Sequence, residues 1–183
     1  MAENSGSVYG ELQNENQAYA YLLCGHLQGM VHRLRQLTPE QWDWTFAPPA
    51  PTARILATHA WQWLICDRQH LAEPDARKHP LVPAPPADTA ALCSALAEET
   101  ERWRVLILGL TPAQFGEQRR QFNGYEMNVR DFVCHMIQNS IYKHGQFSTL
   151  FFALGLDGDA PYDAPFPNPI YAELHEMGNH DTL

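Results

Sequence analysis

The chain holds nine histidines, and imidazole nitrogens are good ligands for zinc, nickel or iron. Three of them facing one cavity with an open position would make a hydrolytic or transferase-type metal centre. Two lie in the stretch from Asn128 to Gly155, NVRDFVCHMIQNSIYKHGQFSTLFFALG, which reads as one amphipathic helix ending at a glycine. His135 and His144 are nine residues apart, about 900° of rotation at roughly 3.6 residues per turn, so they point to opposite sides and cannot share a metal. His135 does share a face with Asn139, and Ser140 with His144. Asn139 is a poor ligand for transition metals, and the ammonium of Lys143 cannot coordinate until it loses its proton. His59 belongs to a different helix. A rebuilt centre would need His26, from the first helix, to join His59 and one of this pair.

Two readings of the face made by His135, Asn139, Lys143 and Gln146 stand side by side. It is solvated surface, because the opposite stripe (Val133, Ile137, Ser140, His144, Phe147, Phe151, Leu154) keeps four/three spacing and is more apolar. Or it lines a pocket in which Lys143 supplies a positive charge, suited to an anionic or polar small molecule.

Four long helices must position these groups. The first is predicted from about Val8 to Leu37, with Leu23, Leu27, Met30, Leu34 and Leu37 as a bundle seam. Gly25 and Gly29 share one of its faces, each costing about 1 kcal/mol in propensity relative to Ala. They point to close approach of a neighbouring backbone or to a ligand groove. Thr38-Pro39-Glu40-Gln41 is a capping box with proline at the first helical position. Thr52 caps a second helix running to about Leu71, with a predicted seam of Leu56, His59, Trp63, Cys66 and His70. Residues 74–87 hold five of fourteen prolines and form a crossing loop. A third helix starts near Asp88 with seam residues Leu92, Leu96, Glu99, Trp103, Leu106 and Leu110. Thr111-Pro112-Ala113-Gln114 repeats the capping signal, and a loop or small hairpin around Phe122 to Tyr125 leads to the fourth helix. Asp67, Arg68, Glu98, Glu99 and Glu101 read as solvated decoration, and Trp61 and Trp63 as core. Tyr162, Phe166 and Tyr171 mark a Pro- and aromatic-rich tail, expected to lie extended over the bundle or a partner subunit.

The two halves match. Leu37-Thr-Pro-Glu-Gln-Trp corresponds to Leu110-Thr-Pro-Ala-Gln-Phe, and Thr52-x-Arg54 with His59 to Asn128-x-Arg130 with His135. A helix–capped-turn–helix unit used twice predicts a pseudo-twofold bundle with His59 and His135 in related places.

At 183 residues and 45% hydrophobic, one domain with a sizeable core is expected, with a bundle over 8–155 and a tail over 156–183. The formal net charge of −9 repels phosphate backbones, which argues against nucleic acid. The polar start MAENSGSVYGELQ does not read as a signal peptide, and no apolar run approaches the ~18 residues of a membrane span. Cys24, Cys66, Cys93 and Cys134 stand singly among apolar neighbours, which raises a thiol's pKa and argues against a nucleophile. Reduced thiols in a cytoplasmic protein are the expectation.

Three features together resemble the DinB/YfiT-like superfamily: a first helix ending in Leu-Thr-Pro-Glu-Gln-Trp, a second with Ile-Leu-Ala-Thr-His59-Ala, and a fourth with Gly145-Gln146-Phe147 before Leu-Phe-x-x-Leu-Gly. The resemblance implies an all-α, up-down-down-up four-helix bundle, commonly a homodimer. It implies metal-dependent, thiol-linked transferases, isomerases or hydrolases, including enzymes using mycothiol or bacillithiol. It also implies a metal held by one histidine at the position of His59 and two in a His-x-x-x-His pattern, whose places here are taken by Asn139 and Lys143. Only His59 keeps a ligand position. No cofactor is therefore expected, and zinc or nickel would bind only to a rebuilt site. Two function classes follow. One is a small-molecule transferase or hydrolase in which His59 is the surviving ligand or a general base. The other is a non-catalytic, metal-free bundle that binds a small molecule or dimerises.

Overall fold

A computed structural model describes residues 14–120 and 124–156. The long helices are α1 (Glu15–Leu34), α3 (Ala53–Ala72), α4 (Thr89–Gly109) and α6 (Val129–Ala153). The single turns α2 (Pro39–Trp42) and α5 (Pro112–Phe115), a 3-10 turn (Ala76–Lys78) and a short hairpin, β1 (Gln118–Arg120) with β2 (Glu126–Asn128), complete the described elements. Each long helix starts where a side-chain oxygen accepts an orphan backbone N–H: Asn14, Thr52, Asp88 and Asn128. Asn14 is extended and caps α1 at Glu15; the predicted start near Val8 lies outside the described residues. Both predicted capping boxes form, Thr38 with Gln41 and Thr111 with Gln114, each with its proline inside the first turn. The tail aromatics Tyr162, Phe166 and Tyr171 lie outside the described residues.

Hydrogen bonds set the helix directions. Early on α1, Asn16 Nδ2 donates to the Ile107 and Leu110 carbonyls at the end of α4, and Cys24 Sγ donates to Thr100, so these helices are antiparallel. Glu15 pairs with Arg130 and Arg33 with Ser148, start with start and end with end, so α1 and α6 run parallel. Arg54, early on α3, donates to the Ala87 carbonyl just before α4, and Arg68 reaches Glu99 further along both helices. The order is thus up-down-down-up, with α1 and α3 each packed against α4 and α6. A parallel α3–α4 pair needs a connection that travels back along a helix about 30 Å long, which the proline-rich segment provides. No helix among the described residues is long and apolar enough to cross a membrane.

The core gathers Leu23, Leu27, Met30 and Leu34 of α1 with Leu64, Leu92, Leu96, Trp103, Phe132 and Phe147. Trp103 Nε1 donates to the Leu64 carbonyl at 2.9 Å, which settles its one polar atom. On α3 the buried residues include Ala53, Leu56, Ala57, Ala60, Trp61, Leu64, Ile65, His70 and Leu71, so of the predicted seam Leu56 and His70 are buried while His59, Trp63 and Cys66 are not. The alanines allow close approach to the neighbouring helices, and the rotation leaves His59 exposed and Trp63 and Cys66 half-buried. A methyl added at Gly25 would meet nothing within 4 Å, so no neighbouring backbone presses on that residue.

Two acidic residues read as solvated are not. Asp67 is buried on α3, and Glu99 is wholly buried on α4. Glu99 is held by Arg68, which engages both its carboxylate oxygens, and by Arg102 Nη1 at 3.0 Å. A carboxylate in such a place requires its cations, because burying it alone costs far more than the pair returns. Arg68→Met should therefore lower stability by about 3 kcal/mol in urea unfolding, and adding Glu99→Leu should recover more than half of that loss.

Candidate functional site

Across the α3–α6 contact, partial burial and then the nearby ammonium of Lys143 push the imidazole pKa of His59 down. Lys143 is half-buried, and burial pushes its own pKa down from the usual lysine value. Its Nζ donates to Gln146 Oε1 at 3.2 Å, Gln146 Nε2 donates to the Tyr142 hydroxyl at 3.1 Å, and Nζ stands 5.7 Å from the Tyr142 ring centre. One turn earlier, Asn139 Nδ2 donates to Nε2 of the exposed His135 at 3.0 Å. The face is neither open surface nor core. Val133, Ile137, Ser140, His144, Phe147 and Phe151 turn into the bundle, leaving Asn139, Lys143 and Gln146 half-buried along its margin.

A divalent metal does not fit this set. His59 supplies one imidazole, Asn139 a carboxamide already donating to His135, and Lys143 an ammonium that repels a cation. Among the described residues no three of His, Cys, Asp or Glu come together as a ligand group.

The histidines that do meet are His26 and His144. They approach across α1 and α6 with Nδ1 to Nδ1 at 3.1 Å, their rings inclined at 62°, both almost wholly buried. One ring must carry its proton on Nδ1 and the other on Nε2 for this contact to be a hydrogen bond. Nε2 of His144 is buried with no hydrogen-bond partner among the described residues. Burial pushes His26 down to about 4; burial, Arg33 and His26 push His144 down to about 3. Arg33 is itself buried, with Nη1 donating to Ser148 Oγ at 2.9 Å and its guanidinium 5.7 Å from the Phe151 ring centre. That positive charge disfavours a metal ion between the two rings as surely as it disfavours a proton. His59 does not join them, so the rebuilt three-histidine centre is not formed.

Periodicity placed His144 on the buried stripe, but nothing local identifies a partner 118 residues away. Asp67 was missed because its burial is set by the packing of α3, not by its neighbours in sequence. Burial pushes its carboxyl up to about 7, against a hydrogen bond from Trp63. A third buried group, His70, lies edge-on to His79 with ring centres 4.6 Å apart, and its Nε2 is 3.7 Å from Cys66 Sγ. All four cysteines are free; Cys24 and Cys93 are buried, Cys66 and Cys134 half-buried.

These groups make stability depend on pH in two opposed ways. The histidine pair titrates lower in the folded chain than unfolded, so its contribution is complete above about pH 6.5 and is lost as pH falls toward about 4. Asp67 titrates higher folded than unfolded, so its contribution is present below about 3.8 and is lost as pH rises through about 7. Asp67→Asn should uncover the histidine effect: denaturant unfolding should show about 3 kcal/mol less stability at about pH 5 than at about pH 7. His26→Leu/His144→Leu in the same background should abolish that loss.

The DinB superfamily model matches residues 25–147. Among solved structures the chain is similar to YfiT from Bacillus subtilis, described as a probable metal-dependent hydrolase with an unusual four-helix bundle topology. The two share 15% sequence identity at a TM-score of 0.60, over 86% of this chain and 94% of that one. A comparison with curated proteins finds no match. The family match spans the α1, α3, α4 and α6 contacts that build the bundle, and YfiT shares its fold; the chain belongs to the DinB superfamily.

Proposed function

We propose that this chain is a small-molecule-binding member of its family that works without a metal, taking an anionic ligand at the α3–α6 face. Lys143 is the charged anchor, with His59 and Asn139 as neutral hydrogen-bonding groups beside it. The observation that carries this reading is the state of Lys143. Its ammonium is half-buried, its pKa is depressed by that burial, and no acidic group among the described residues offsets the cost. A bound anion would restore the missing counter-charge. At neutral pH His59, held below its usual pKa, offers a lone pair or an N–H rather than a second positive charge. The proposal includes no bond-breaking step. Burial pushes Cys24 up to about 12 and raises Cys66 and Cys93 as well, so these thiols stay protonated.

The test is a panel of phosphate, citrate and mercaptoacetate followed by thermal shift and calorimetry. At least one anion should stabilise the chain, by about 2.7 kcal/mol at about a hundred times its dissociation constant. Lys143→Met should remove that stabilisation, and added salt should weaken it. His59→Ala, at an exposed position, should change stability by less than about 0.5 kcal/mol while weakening the anion. Lack of response to every anion, or an unchanged response in Lys143→Met, would sink the reading.

Metal offered as zinc, nickel or iron(II) to untagged protein should not be retained at one equivalent after desalting. Stoichiometric metal lost on His59→Ala would transfer the case to a metalloenzyme.

A further inference from the structure

On the far side of α1 from the histidine pair, a groove between α1 and α4 encloses about 190 Å³. Ala20, Tyr21, Cys24, Gly25, Arg104 and Leu108 are among its lining residues. We propose that it is a binding site for an uncharged, flat, apolar molecule carrying one hydrogen-bond acceptor, independent of the α3–α6 face.

Gly25 is the telling residue. It lies mid-helix, where glycine is disfavoured. Its own backbone is buried, yet a Cβ built there would meet nothing within 4 Å. The missing side chain serves no helix contact; it opens the groove. Beside it, Cys24 Sγ donates to the Thr100 carbonyl at 3.5 Å, and its pKa, pushed up to about 12 by burial, keeps it a neutral thiol that behaves as an apolar surface. At the rim, Arg104 holds Glu101 through Nε at 2.7 Å and Nη2 at 2.6 Å. That fork cancels its charge and engages two of its donor nitrogens, leaving the Nη1 edge for a carbonyl or hydroxyl oxygen. A carboxylate ligand would have to compete with Glu101.

The volume limits the ligand. It exceeds the roughly 150 Å³ cavity that accepts a benzene ring. It falls short of the roughly 300 Å³ at which pockets take drug-sized molecules. A two-ring ketone is of the right size and polarity.

The experiment titrates the full chain with 2-acetylnaphthalene by calorimetry, with 2-naphthoate as the charged comparator. Saturable one-to-one binding of the ketone is expected, tighter than the carboxylate by about tenfold for the charge conflict at Glu101. Gly25→Leu should cost at least tenfold in ketone affinity while its circular dichroism and melting temperature stay at wild-type level or above, because leucine favours the helix. Gly25→Ala should give a smaller loss in affinity with the same retained fold. No saturable ketone binding, or equal affinity in Gly25→Leu, overturns the proposal. So does ketone binding that weakens as protein concentration rises, which would give the groove to a second copy of the chain.

Discussion

Helix α1 has to bury two faces at once, against α4 on one side and α6 on the other. No single stripe of leucines can do that. Leu23, Leu27, Met30 and Leu34 provide the apolar share, each at most 1% exposed. The rest of the buried surface is then left to less apolar residues, among them Cys24, Gly25, His26 and Arg33. Each carries an obligation: the thiol finds Thr100, the imidazole His144, the guanidinium Ser148 and the Phe151 ring. The polar groups that α1 buries follow from its having two faces to cover.

That demand also explains which features could be read from residue order. Caps depend on three or four consecutive residues, so Thr38, Thr52, Asp88, Thr111 and Asn128 were all legible. The facing of α3 was not. His59, Trp63 and Cys66 keep the same four/three spacing as the residues that are actually buried. The small alanines that decide the matter give almost no hydrophobic signal. Glu99 looked like surface because charged residues are seldom buried without partners, and its Arg68 lies 31 residues away. The candidate site was legible in part: four/three spacing put His135, Asn139 and Lys143 along one side of α6, but how deeply Lys143 is buried depends on its neighbours in the bundle.

Charge at the α3–α6 face has a simple logic. An ammonium here disfavours a second cation beside it, and Asn139 turns its carboxamide to His135. His59 stands beside it, its pKa held down by partial burial and then by that charge.

The parallel pairing of α1 with α6 bears on how the chain is made. Glu15 and Arg130, which join the starts of these helices, are 115 residues apart. At roughly 5–20 residues per second, a ribosome needs on the order of ten seconds to bridge that interval. Through that time the α6-facing side of α1, with His26 and Arg33, has no native cover. Nascent chains of this architecture thus pass through a stage in which α1 is half dressed, and its leucine seam must find α4 first if it is to be shielded during translation.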